Sequence, residues 1–318
     1  MSVHTKPGSR LLPLGLLIYI GIGGSAVLAE TNPARDSNPI VCAELDRQIV
    51  QRTADNSRQQ NFDLFEAAKK GCGKAVHRLL AGGASLEARD RFANTALIHA
   101  AAGGHAELVS YLLDRGGMIN AQNLNGSTAL LRAVVANERK VVRHLLDRGA
   151  ALSVVNRSGV SPLAAASYNG NRRMVTMLLD AGADAQKPDG TGKPALIYAA
   201  AKGYIKIVSL FLDAGVPVDI RDSNQLTPLM WASGHPNDVP ESEALKTILL
   251  LLERGADISL SDNRGRTALM IAAQRGHSDI LSALLDAGAA PGVKDRDGKS
   301  AADLANRPEI RDILLKRQ

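Results

Sequence analysis

The chain has 318 residues, a formal charge of +6 and aromatic residues at only 3% of positions. So few rings exclude a core built on aromatic plugs, and an excess of 38 Lys+Arg over 32 Asp+Glu is too small and scattered to argue for nucleic acid. Two isolated cysteines, with no histidine beside them at ligand spacing, exclude a zinc cluster.

Residues 1–29 are expected to be a secretory signal peptide. Lys6 and Arg10 precede the apolar run Leu11 to Ile22, and small residues follow, with Val27 and Ala29 placed for a peptidase that leaves Glu30 first. The rival reading is an uncleaved inner-membrane anchor facing the periplasm, since Leu11 to Leu28 almost reaches spanning length. Gly21, Gly23, Gly24 and Ser25 weaken that rival. Cleavage removes two positive charges and no acid, so the net charge of +6 becomes +4, and no stable membrane insertion is then expected.

The leader, residues 30–60, opens with Pro33 and Pro39 and then shows a short amphipathic pattern in Val41, Leu45 and Ile49. A helix docked on the unit that follows is expected. In an oxidising compartment Cys42 would pair with Cys72; the alternative is two unpaired thiols.

From residue 61 the chain repeats itself. Leu64, Leu97, Leu130, Leu163, Leu196 and Leu229 stand 33 residues apart, Leu269 comes 40 later, and Ala302 another 33 on. "NTALIHAAAGGHAELVSYLLDRGG", from Asn94 to Gly117, is the clearest copy. Each copy predicts two helices. The first is opened by a hydroxyl residue such as Thr95, Thr128, Ser161, Thr227, Thr267 or Ser300, and the second is stopped by a glycine such as Gly116, Gly149 or Gly182. Neither helix can bury both faces alone, so the copies must stack, with the polar first and last units serving as caps.

These motifs resemble the ankyrin repeat, with its T-P-L-H-x-A-A opening, Gly-His turn and L-L-x-x-G-A-D ending. The resemblance implies an all-α solenoid of about eight helix–turn–helix units with β-turn or hairpin tips, near 61–89, 90–122, 123–155, 156–188, 189–221, 222–261, 262–294 and 295–318. Departures are Pro194 for the usual Thr, Asn137-Glu138 for Gly-His, and Gln225 for a turn glycine. The sixth unit carries seven extra residues within Ser233 to Ser242, where Pro236 and Pro240 interrupt helix.

No nucleophile elbow, phosphate loop, carboxylate pair or metal cluster is visible, so no enzyme activity, cofactor or metal is expected. His99, His105 and His277 are expected to bond turn backbones, and His144 to face solvent. The resemblance implies a non-enzymatic module or scaffold holding another protein through a concave face. In register, that face would carry Arg91, Phe92, Leu124, Arg157, Val160, Tyr168, Lys202, Leu226, Arg264, Arg266, Arg275 and Arg296. The recurring Asp90, Asp189, Asp222, Asp262 and Asp295 would brace the turns. The expected partner has an acidic, partly apolar surface, and the module would be a monomer in the periplasm or outside the cell. Exported proteins of this family imply two other readings: support of catalase in peroxide defence, or an effector that binds a host protein.

Overall fold

The computed structural model describes residues 39–51, 57–235 and 239–317. The expected signal peptide 1–29, the leader residues 30–38 and 52–56, and Pro236 in the insertion lie outside the described residues; Ser57–Gln60, assigned above to the leader, start the first repeat helix.

Among the described residues, helix α1 (Pro39–Gln51) precedes eight helix pairs. In chain order these are α2 (Ser57–Lys70) with α3 (Gly73–Ala81), α4 (Ala96–Ala102) with α5 (Ala106–Asp114), α6 (Ala129–Val135) with α7 (Arg139–Asp147), and α8 (Pro162–Tyr168) with α9 (Arg172–Asp180). Then come α10 (Ala195–Ala201) with α11 (Ile205–Asp213), α12 (Pro228–Ser233) with α13 (Glu241–Glu253), α14 (Ala268–Arg275) with α15 (Ser278–Asp286), and α16 (Ala301–Leu304) with α17 (Pro308–Lys316). Among the described residues there is no named strand; one isolated bridge joins Ser261 to Thr267. The whole is an all-helical solenoid.

The first helices stack in one tight row, because alanines at their contact leave the backbones close together. Ala100, Ala133, Ala165, Ala199, Ala232 and Ala272 have no exposed surface. The second helices form a looser outer row. Leu112, Leu145, Leu178, Phe211, Leu251 and Leu284, one per unit, are wholly buried and fill the seam between the rows. Of the leucines that follow them, Leu113 and Leu179 are half-buried, whereas Leu285 is buried too.

Local chemistry explains the helix ends. The hydroxyls of Thr95, Thr128, Ser161, Thr227, Thr267 and Ser300 each accept from the main-chain N–H three residues on. Pro194 stands in that place without a side-chain cap bond. The turn residue Gln225 has φ 66° and Ala93 φ 58°, a left-handed conformation that glycine fills in the equivalent turns at much lower cost. The insertion is partly absorbed by helix: α13 has 13 residues where α11 and α15 have 9, so Glu241 and Ser242 are helical.

Cys42 and Cys72 form a disulfide with Cα atoms 5.2 Å apart, tying α1 to the start of α3. Leu45 is buried and Cys42 and Ile49 pack beside it, whereas Val41 turns outward. Arg78 on α3 adds an ion pair with Asp46, 2.8 Å long.

Candidate functional site

The second to the eighth unit each begin with a tight tip, built the same way seven times among the described residues. The main-chain N–H of Asp90 donates to the carbonyl of Asn94, and the same closure joins Asn123 to Ser127, Asn156 to Val160, Asp189 to Lys193, Asp222 to Leu226, Asp262 to Arg266 and Asp295 to Lys299. The leading Asp side chain then accepts from the main chain two and four residues on: Asp90 from Phe92 and Asn94, both at 2.8 Å, and Asp262 from Arg264 and Arg266, both at 2.9 Å. The recurring aspartates do brace the turns.

Neighbouring tips are zipped together. Leu124 N–H donates to Phe92 C=O at 2.8 Å, Arg157 to Asn125 at 2.8 Å, and Arg296 to Arg264 at 2.9 Å. The tips therefore present a continuous, fixed row of side chains, and its composition changes along the array. At one end stand Arg91, Phe92, Leu124 and Arg157, with Phe92 and Leu124 53% and 47% exposed. The Arg91 guanidinium lies 4.7 Å from the Phe92 ring centre, which covers the ring's face with charge. Small polar residues such as Thr191 and Ser223 occupy the middle tips, and exposed Arg264 and Arg296 stand at the far end.

Three ankyrin-repeat family models match the chain: "Ankyrin repeats (3 copies)" over residues 64–156 and 162–241, "Ankyrin repeats (many copies)" over 251–305, and "Ankyrin repeat" over 224–263. The chain belongs to the ankyrin-repeat family. It is 41% identical over 83 residues to Ankyrin repeat domain-containing protein 63 of Mus musculus, covering 26% of this chain and 20% of that protein. The Homo sapiens protein of the same name is 40% identical over 83 residues, covering 26% and 21%. Protein LHCP TRANSLOCATION DEFECT of Arabidopsis thaliana is 51% identical over 47 residues, covering 15% and 27%. The chain thus matches about a quarter or less of the length of these relatives.

Three residues assigned to the ankyrin face are not on it. Val160, Leu226 and Arg266 are buried, at 4%, 7% and 7% exposure. Each directly precedes a helix-capping Ser or Thr, the place where a side chain folds back onto the first turn of its helix. Val160 and Leu226 join the core. Arg266 clasps Asp262 instead, with Nε 2.9 Å and Nη2 2.7 Å from the same carboxylate oxygen. Tyr168, Lys202 and Arg275 are half-buried on the inner row, and the Lys202 ammonium lies 5.0 Å over the Tyr168 ring.

The second oxygen of the bracing aspartates explains several other residues. His99 meets Asp90 at 2.9 Å, Tyr198 donates to Asp189 at 2.8 Å and Trp231 Nε1 donates to Asp222 at 3.0 Å, each from nine positions downstream. Burial raises the pKa of the Tyr198 hydroxyl, which keeps it a donor. For Asp90, burial works upward, but hydrogen bonds from Asn94, Phe92 and His99 outweigh it and lower the pKa.

Four further histidines make contacts between units. His105 Nε2 sits 2.9 Å from the Lys69 carbonyl in the preceding unit, as expected of a turn histidine. His144 does not simply face solvent: its Nδ1 is 2.7 Å from Ser110 Oγ on the adjacent outer helix. No carboxylate among the described residues hydrogen-bonds that ring, so the pair lacks the group that would orient a catalytic base. His235 and His277 are both buried and stack face to face, 3.9 Å between centres. No group of three or more metal-ligating side chains occurs among the described residues, and no helix there is long and apolar enough to cross a membrane.

The stacked pair makes stability pH-dependent. Burial first, then the neighbouring charge of His235, pulls His277 down to about 4, with Arg275 and Arg307 acting in the same direction and a main-chain hydrogen bond to His235 against it. The folded ring is therefore neutral while the unfolded one takes a proton below about 6.5, so stability is full above that pH and falls until the folded pKa is passed. A urea titration at pH 5 is expected to show about 2 kcal/mol less stability from this group than at pH 7.5. His277→Gln should flatten that difference.

Proposed function

We propose that this chain is a non-catalytic holding module of the bacterial periplasm, exported through residues 1–29, which grips another protein with its row of tips. The observation that carries the reading is the pair Phe92 and Leu124, exposed side by side on a hydrogen-bonded ladder and flanked by Arg91 and Arg157. Two large apolar side chains held rigidly in solvent serve no folding purpose, and such anchors supply most of the affinity in an interface. Arg264 and Arg296 at the far end add orientation and association rate toward an acidic partner surface. The Cys42–Cys72 bond supports export, because cytosolic thiols are kept reduced.

Crosslinking and capture from intact cells tests this. Wild type is expected to bring down one protein specifically, and a Phe92→Ser/Leu124→Ser variant to lose it while keeping its thermal midpoint. Equal capture by both would remove the tips from the account. The recovered chain is expected to begin at Glu30 in the periplasmic fraction.

A further inference from the structure

A second feature lies away from the tips, on the side where each first helix turns into the second. A cleft of about 820 Å³ crosses the third, fourth and fifth units there. Its charged lining is Arg139, Arg172, Arg173 and Lys202, without a carboxylate, and Tyr168 and Tyr204 give it aromatic walls. The one acid in those turns, Glu138, points away, its carboxylate filling the space over Gly104 in the second unit.

These cations stand where the fold does not want them. Helices α7 and α9 begin with Arg139-Lys140 and Arg172-Arg173, and neither they nor α11 have an acid in the first turn. The flanking outer helices obey the helix dipole, α5 opening with Glu107 and α13 with Glu241 and Glu243; α15 does so further on with Asp279, and α3 at the N-terminal end has no acid there. A positive side chain at the positive end of a helix is unfavourable by a few tenths of a kcal/mol, roughly, and here it is repeated on adjacent helices. A local rule broken that way, around a cleft, points to a ligand.

We propose that this cleft takes a short acidic peptide segment of the partner, with carboxylates on the arginines and an apolar or aromatic side chain against Tyr168 and Tyr204. The basic stretch is bounded by Glu107 on one side and by Glu241 and Glu243 on the other, which suits a short segment and repels a continuous polyanion such as nucleic acid. This inference rests on the reading of the chain as a partner-holding module, yet the two fail separately: the Phe92/Leu124 capture leaves the cleft intact, and the test below leaves the tips intact.

The probe is a fluorescent heptapeptide of six glutamates around one tyrosine, titrated by anisotropy against the whole exported chain at low and high salt. Binding is expected to weaken with salt, to fall about tenfold or more in Arg172→Glu/Arg173→Glu, and to change less than about twofold in Lys316→Glu, an exposed cation on α17. Acids at the start of α9 favour its dipole, so an unchanged or raised thermal midpoint shows that the double variant is folded. Equal affinity for wild type and double variant would overturn the proposal, as would absence of binding at millimolar peptide. Equally tight binding of an oligothymidylate of matched length would also overturn it, in favour of a nucleic-acid site.

Discussion

Arg266→Met is expected to lower the stability of the array by about 3–5 kcal/mol in a urea titration, while Arg264→Met, two residues away, changes it by less than about 0.5. Both arginines sit in the same tip, but the Asp262 side chain is 1% exposed and that of Arg266 8%. In three other units the second oxygen of the bracing aspartate meets a donor nine residues on, at His99, Tyr198 or Trp231. The corresponding residue here is Ile271, which has none. Arg266 supplies that donor from the tip itself, so methionine leaves a buried carboxylate oxygen without either of its side-chain donors. The second-site change Ile271→Tyr should recover part of the loss by restoring the arrangement of the fifth unit. A loss near 1 kcal/mol or below for Arg266→Met would show that the Arg264 and Arg266 main-chain N–H groups satisfy Asp262 on their own.

The second large effect concerns the N-terminal end. Cys42→Ser/Cys72→Ser is expected to release α1 from the array. The bond spans 30 residues, and closing such a loop is worth about 3.5 kcal/mol in the chain-entropy model. What remains is weak. Only Leu45 of the 13 residues of α1 is fully buried, worth about 2–3 kcal/mol. The Arg78–Asp46 pair is half exposed on its arginine side and adds at most about 1 kcal/mol. Ordering a segment of that length costs more than these two contacts return. Hydrogen exchange should therefore show α1 amides losing protection in the double variant, with α2 and α3 partly following as the exposed end of a stacked array. Unchanged protection of α1 would mean that Leu45 and its neighbours hold it without the bond.

The architecture was legible because one pattern recurs in a fixed register: a leucine every 33 residues, hydroxyl caps before it and glycines after it. The tips were half legible. Their aspartates announced a brace, and Arg91, Phe92, Leu124, Arg157, Arg264 and Arg296 are exposed where the register put them. Val160, Leu226 and Arg266 fall outside the exposed row because the 33-residue register alone does not separate the tip positions that point outward from the one that folds back. The signal that separates them was present, since each stands immediately before a capping Ser or Thr. Other features depend on juxtaposition across units. Arg139, Arg172 and Lys202 are unremarkable in their own units and become a basic cleft only when three units stack. His235 lies at the register position of Lys202 and His277 at that of Tyr204, so the period gives no hint that they meet. The insertion that separates them has no counterpart elsewhere in the array.

The central claim is that the tip row holds a partner and the exposed outer flank of α13 does not. The most direct measurement places a photo-crosslinking amino acid at Leu124 in one variant and at Leu249, half exposed on outer helix α13, in another. After irradiation of intact cells, the Leu124 variant is expected to give one dominant crosslinked protein and the Leu249 variant none in common with it. The same product from both positions, or a product from Leu249 alone, would contradict the account.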